Sequence, residues 1–292
     1  MRGRHLTVGR STMESYHLTS EHLEAFRRHL LEEERAPGTV AKYLRDLEAF
    51  CRWLGDRPVT RETAAAWKTY LLDGGRAPVT VNSMVAALNG LFAFLGWDCR
   101  VRFLRIQRRV FRDQARELNR EEYGRLVQTA RDRGRDRLAL LMETVCSTGI
   151  RVGEVPYITV EAARQGRAEI ALKGKIRVIL LPGKLCRKLL KHAAQKKIAS
   201  GEIFITRSGR SLSRKQIWAE MKTLCGLAGV GAEKVFPHNL RHLFARTFYR
   251  TCRDVVRLAD VLGHSSIETT RIYLLTTGTE YCRQLEKLAL IL

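Results

Sequence analysis

Four short segments gather the residue types that phosphate chemistry uses. They are Ser147-Thr-Gly-Ile-Arg151-Val-Gly-Glu154, Lys173-Gly-Lys175, Pro237-His238-Asn-Leu-Arg241-His242, and Leu262-Gly-His264 running on to Tyr273. Two guanidiniums can grip phosphate oxygens in bidentate forks and offset charge that builds on phosphorus. Two imidazoles can move protons near neutral pH. A phenol supplies an oxygen nucleophile, but its free pKa of about 10 means it needs a base or a cationic pocket to ionise. Together these groups describe a phosphoryl-transfer site without a metal. The sequence has no HExxH, no DxD and no GxxxxGK[ST]. Neither a metal-dependent nucleotidyl transferase nor an ATPase is indicated, and no metal or cofactor is expected.

Taken singly, each segment has a plainer explanation. Arg151 and Glu154 are spaced i,i+3, an ordinary surface ion pair, with Gly149 allowing the chain to turn before them. His238 and Arg241 share one face near a helix start, where a capping His and a surface Arg would be unremarked. His264 follows Gly263 at a helix end, with Ser265 or Ser266 free to cap the next helix. Tyr273 sits late in that helix among Ile272, Leu274 and Leu275 and would pass for a core aromatic. Their combination is what carries information.

The elements that must position them can be read from periodicity. Residues 1–17 are polar and basic and read as an arm. Residues 18–97 read as a small all-helical bundle. Leu23, Phe26 and Leu30 mark its first helix. Pro37-Gly38 breaks the chain, and Thr39 is placed to cap a second helix carrying Val40, Tyr43, Leu44, Leu47, Phe50 and Leu54. A third helix is expected around Ala64–Leu71, and a fourth through Met84, Leu88, Leu91 and Leu95. Residues 98–117 read as a linker crowded with Arg100, Arg102, Arg105, Arg108, Arg109 and Arg112. A charge run is usually a solvated face, but between two domains of a very basic chain it reads as a strap that tracks a polyanion's backbone. Residues 118–292 form the second domain, opening with the capping-box sequence Asn119-Arg-Glu-Glu122. Helices are expected over 121–133 and 136–147. A hairpin follows, with Ala168, Ile170 and Leu172 pointing inward on one arm and Ile176, Val178 and Leu180 on the other. Lys173-Gly174-Lys175 makes its turn. Helices over 183–195, 213–227, 238–250, 254–262, 266–274 and 279–291 complete the chain. The fold class is mainly α, a helical domain joined to a mostly helical catalytic domain with a small β-hairpin.

Charge narrows the partner. The 292 residues hold 52 Lys and Arg against 30 Asp and Glu, a net charge of +22. Most of the excess lies in residues 118–292, with 32 basic against 16 acidic side chains. Such a field points to a polyanion, with nucleic acid ahead of an anionic membrane. No secretory signal and no membrane segment is read from the sequence, so membrane association is not expected. The seven cysteines lack any CxxC pair. They read as reduced thiols of a cytoplasmic protein rather than a disulfide framework or zinc site.

The chain resembles the tyrosine recombinases, especially phage- and transposon-type integrases. The resemblance lies in order and spacing: TGIRVGE, a Lys-bearing hairpin, PHNLRH, LGHSS, then Tyr273 nine residues after His264. It extends to the helical region with its GTVAKYLRDLEAFCRWL stretch, and so covers the chain from about residue 18. It implies that Tyr273 attacks the scissile phosphate of double-stranded DNA and forms a 3′-phosphotyrosine. Arg151 and Arg241 would clamp the non-bridging oxygens, and His264 would donate a further hydrogen bond. His238 would serve as base towards Tyr273, and a hairpin lysine would protonate the leaving 5′-oxygen. Lys173 fits the family position best, with Lys175 also in reach. Glu154 would support Arg151. The resemblance also implies a homotetramer on two DNA duplexes in the cytoplasm, associated with the nucleoid. The apolar C-terminal helix 279–291 would dock either on its own domain or on a neighbouring protomer. Two alternatives compete: a type IB topoisomerase-like enzyme that relaxes supercoils, and a non-catalytic DNA-binding regulator derived from a recombinase.

Overall fold

In a computed structural model, the structure describes residues 15–107, 114–172, 175–273 and, near the C-terminus, 282–283 and 286–288. The chain divides into two compact units, Met1–Arg108 and Arg109–Leu292.

The first unit is built from α1 (Ser20–Glu32), α2 (Pro37–Leu54), α3 (Arg61–Asp73) and α4 (Pro78–Leu95). Thr19 and Thr60 cap α1 and α3 with reciprocal capping boxes. Pro37 and Pro78 do not interrupt the chain but open α2 and α4, at a position where a missing N–H costs nothing. Thr39 therefore lies inside α2, whose N-cap Ala36 makes no side-chain bond. The apolar faces meet in one core that includes Phe26, Leu47, Phe50, Trp67, Leu88 and Phe92. α4 is long and apolar enough to cross a bilayer, but Val81, Val85, Leu88 and Leu91 pack in this core.

The stretch expected to begin a linker at residue 98 stays with this unit through Gln107. Cys99 and Val101 are buried in its core. Two asparagines seven residues apart on α4 hold the stretch by paired amide bonds. Asn89 receives the Val101 N–H and donates to its carbonyl, both at 2.9 Å. Asn82 does the same for Leu104, at 2.8 and 2.9 Å. Arg100, Arg102 and Arg105 remain exposed along the stretch. Arg108, Arg109 and Arg112 lie outside the described residues, as do most of the arm 1–17 and the helix expected over 279–291.

The second unit comprises α5 (Arg120–Asp132), α6 (Asp136–Thr148), α7 (Val160–Gln165), the hairpin β1 (Arg167–Leu172) and β2 (Lys175–Leu180), α8 (Gly183–Gln195), α9 (Arg214–Lys222), α10 (Cys225–Ala228), α11 (Pro237–Cys252), α12 (Val255–Leu262) and α13 (Ile267–Arg271). Asn119 and Glu122 form the expected capping box on α5. The helix expected over 213–227 is broken between α9 and α10. β1 and β2 pair antiparallel, from Arg167 opposite Leu180 to Leu172 opposite Lys175.

The hairpin corrects one expectation. Ala168 and Ile170 do face inward, but on β2 the inward phase belongs to Arg177 and Ile179. Ile176, Val178 and Leu180 point out, at 82, 53 and 77 % exposure. Alternation assigned the three apolar residues to the core. An ion pair between Arg177 and buried Glu154 outweighs that preference and sets the strand's phase.

Candidate active site

α6 ends at Gly149, whose φ of 67° suits glycine. A Cβ there would overlap the Phe244 ring. Ile150 is buried, which fixes the exit, and Arg151 follows at the N-cap of a 3-10 turn over Val152–Tyr157. Glu154 folds back onto it. One carboxylate oxygen accepts the Arg151 amide at 2.7 Å, and the other accepts its guanidinium at 3.0 Å. Burial works against charge on Glu154. The Arg151 amide and the Arg177 and Arg151 guanidiniums outweigh it and hold the carboxyl below its ordinary range. The Arg151 side chain stays 43 % exposed, free to meet an incoming anion.

α11 brings the second cation. Pro237 occupies its first turn, and Arg241 lies one turn on with 1 % exposure. A buried guanidinium must be matched by acceptors. Here they are the orphan carbonyls of two helix C-termini, where the backbone dipoles favour a cation. Arg241 Nη1 donates to the Gly149 carbonyl at the end of α6, and Nη2 to the Leu262 carbonyl at the end of α12, at 2.9 Å. The Tyr273 side chain lies close enough to this guanidinium to favour its charge. Of the i,i+3 pair, His238 is exposed while Arg241 is buried, so Arg241 is not a surface arginine.

Gly263, with φ 63°, ends α12 and delivers His264. Arg241 Nη2 lies 2.9 Å from His264 Nε2. A guanidinium only donates, so Nε2 must accept and Nδ1 carries the proton towards Thr270 Oγ1, 2.8 Å away. Burial, then Arg241, Arg151 and Arg177, push the His264 pKa down to about 4. Ser266 caps α13. That helix stops at Arg271, so Tyr273 stands in the turn just beyond it rather than within a helix running to 274. Tyr273 is 5 % exposed and packs with Ala245, Leu258 and Leu262.

The aromatic rings form a line. His238 meets His242 edge-on at 4.6 Å, His242 meets Tyr273 edge-on at 4.7 Å, and His264 stacks on Tyr273 at 6.0 Å. Burial, His238, Arg246 and Arg241 push His242 down to about 3. Burial, then Arg241 and Arg151, also lower His238. Burial and the neighbouring cations therefore favour the neutral form of all three rings.

The structure thus brings together Arg151, Glu154, His238, Arg241, His264 and Tyr273 from segments up to 122 positions apart in sequence. Lys173 lies outside the described residues, as does the side chain of Lys175, although Lys175 opens β2 opposite Leu172. Two members were missed from sequence. His242 follows Arg241 directly, and a helical wheel already puts it one turn after His238. Arg177 was hidden by the assumption that the apolar phase of β2 faces in. Among the described residues, no cluster of three His, Cys, Asp or Glu side chains is placed to hold a metal.

The profile described as Phage integrase family matches residues 116–278, and that described as Phage integrase, N-terminal SAM-like domain matches residues 23–98. The chain belongs to the phage integrase family of tyrosine recombinases. Tyrosine recombinase XerC of Roseiflexus castenholzii is 30 % identical over 281 residues, covering 87 % of this chain and 88 % of that protein. Tyrosine recombinase XerA of Thermococcus kodakarensis is 29 % identical over 280 residues, covering 93 % and 96 %. The recombinase also shares its fold with a lambda integrase tetramer bound to a Holliday junction. That match has a TM-score of 0.72, 19 % identity, and covers 90 % of this chain and 78 % of the other. A XerH recombinase in a post-cleavage complex with a palindromic difH substrate matches with a TM-score of 0.66 and 22 % identity, covering 87 % and 79 %.

Proposed function

We propose that this site-specific recombinase cleaves and rejoins double-stranded DNA through Tyr273. The observation that carries the reading is the convergence of Arg241, His264, His242 and Tyr273 in one buried cluster beside the exposed Arg151. Tyr273 Oη attacks the scissile phosphorus, and the bond to the 5′-oxygen breaks. The products are a 3′-phosphotyrosine and a free 5′-hydroxyl. The tyrosyl proton passes to the neutral His238–His242 pair, and a hairpin lysine, Lys173 or Lys175, protonates the leaving oxygen. Arg151 and Arg241 offset the charge on the non-bridging oxygens. His264 becomes a donor when its ring changes tautomer, with the Thr270 hydroxyl then donating to Nδ1 and Nε2–H turning from Arg241 to the phosphate. The phosphotyrosine conserves the bond energy, so a partner strand's 5′-hydroxyl reverses the step without ATP or metal.

Arg100, Arg102, Arg105, Arg108, Arg109 and Arg112 are proposed to follow the DNA backbone. A homotetramer on two duplexes is proposed, linked by the C-terminal helix 279–291, acting in the cytoplasm on nucleoid DNA. The test is covalent trapping on labelled, nicked duplexes tiled across the DNA flanking the gene, without metal or nucleotide. Wild type should give a shifted band on a denaturing gel and Tyr273→Phe none. A band that survives in Tyr273→Phe assigns the nucleophile elsewhere, with Tyr281 next in line. No band from wild type on any duplex, with intact binding, would make the protein a regulator.

A further inference from the structure

We propose that Arg177 is a positioning residue that joins the lysine hairpin to both halves of the phosphate pocket, setting Arg151 through Glu154 and His264 through the end of α12. The proposal rests on the phosphodiester reading above.

Arg177 lies on β2 opposite Ile170, two residues after Lys175 in the same strand phase. Its side chain is largely buried. Nη2 contacts the Glu154 oxygen at 2.5 Å, the same atom that accepts the Arg151 amide. Nη1 donates to the Val261 carbonyl at 3.3 Å, in the last turn of α12. The Arg177 Cδ lies against Gly263, where a Cβ would overlap it, and Gly263 immediately precedes His264. One side chain of the hairpin therefore touches two other segments that converge on the site, the turn holding Glu154 and the end of α12.

Packing alone does not account for it. Among the described residues Arg177 Nε is buried without a hydrogen-bond partner. An apolar side chain would fill the place without that penalty. The charge has a use, however. Glu154 is shared by two guanidiniums. Without Arg177 the carboxylate would neutralise Arg151. With Arg177 the trio keeps a net positive charge, and the exposed Arg151 retains its attraction for phosphate. The link to Val261 and Gly263 fixes the backbone that aims His264. Lys175, two residues upstream, is carried on the same strand, so an Arg177 held in place also registers the hairpin.

The test compares Arg177→Met, which keeps bulk but loses charge, with Arg177→Lys, using the nicked duplex that wild type cleaves. At saturating protein the Met variant should cleave about a hundredfold more slowly, with duplex affinity within about threefold. The Lys variant should recover at least about tenfold. Glu154→Gln combined with Arg177→Met should lose no more than the worse single variant, because both act on Arg151. If the Met variant does not fold, the Lys variant decides. It should fold and still lose about fivefold to tenfold in rate, since one ammonium cannot span Glu154 and Val261.

A second arm needs no DNA. His264 is titrated by ring NMR in the free protein, where Arg241, Arg151, Arg177 and His238 face it. Its midpoint should rise in Arg177→Met and hold in Arg177→Lys. The proposal is overturned by cleavage near wild type in the Met variant, by additive losses with Glu154→Gln, or by an unmoved His264 midpoint. If wild type forms no adduct on any duplex, the cleavage reading fails, while the NMR arm still decides whether Arg177 is linked to His264.

Discussion

The two units fasten distant pieces of chain by different chemistry. In the first, Asn82 and Asn89 pin residues 101–104 to α4 with neutral amide pairs. In the second, Arg241 bridges the ends of α6 and α12, and Arg177 bridges β2, Glu154 and α12. Neutral clamps hold and do nothing else. Guanidinium clamps also create the field that phosphate needs. In the proposed mechanism the same structural cations would serve the chemistry, which ties the stability of the second unit to charge and pH.

The sharpest way to break this comparison is to remove a cation. Arg241→Ala should lower cleavage about 10²–10³-fold, the loss expected when a transition-state donor of about 3–4 kcal/mol is deleted. It should also destabilise the second unit by roughly 3 kcal/mol, because two helix-end carbonyls lose their partner and a cavity opens. Arg151→Ala should match it in cleavage but cost about 1 kcal/mol or less in stability, since that side chain is half-exposed. Single-turnover trapping and urea unfolding measure the two. Equal stability losses would mean that Arg241 is not structural.

The amide clamps give the reverse. Asn89→Ala or Asn82→Ala should cost the first unit about 1–3 kcal/mol, the penalty of stranding a part-buried N–H and C=O. Cleavage of an already bound duplex should stay within about twofold of wild type. A large fall in that rate would show that the first unit reaches the chemistry.

Acidification is the gentlest probe. Burial lowers His238, His242, His264 and also His192 in the second unit. Below the unfolded imidazole value of about 6.5 the unfolded chain takes up protons that the folded chain refuses. These rings therefore leave stability intact above about pH 6.5 and erode it as pH falls towards the folded values, about 4 for His264 and about 3 for His242. Asparagine clamps do not titrate. Hydrogen exchange, corrected for intrinsic rates, should show α11 losing protection between pH 7.5 and 5. The amides of residues 101 and 104 should not follow. Parallel loss in both would erase the distinction.

Much of this was legible in the sequence because it is local. The caps at Asn119 and Ser266, the glycine ends at Gly149 and Gly263, and the spacing of His238, Arg241, His264 and Tyr273 all declare themselves within a few residues. What was hidden depended on partners far along the chain. The phase of β2 is set by Glu154, 23 positions before Arg177. The hold on residues 98–107 comes from asparagines on α4 that, in sequence, look like ordinary polar helix positions. The burial of Arg241 depends on two helix ends meeting around it, 92 and 21 residues away.

The asparagine-held stretch also fixes where this chain can be recombined with others. A graft that exchanges the N-terminal unit at residue 97 would pull Cys99 and Val101 from their core and leave both α4 amides without partners. A junction after Gln107 carries the whole fastened piece along, arginines included. Chimeras built with the later junction inherit an intact module with its basic edge, and those built with the earlier one inherit a damaged module.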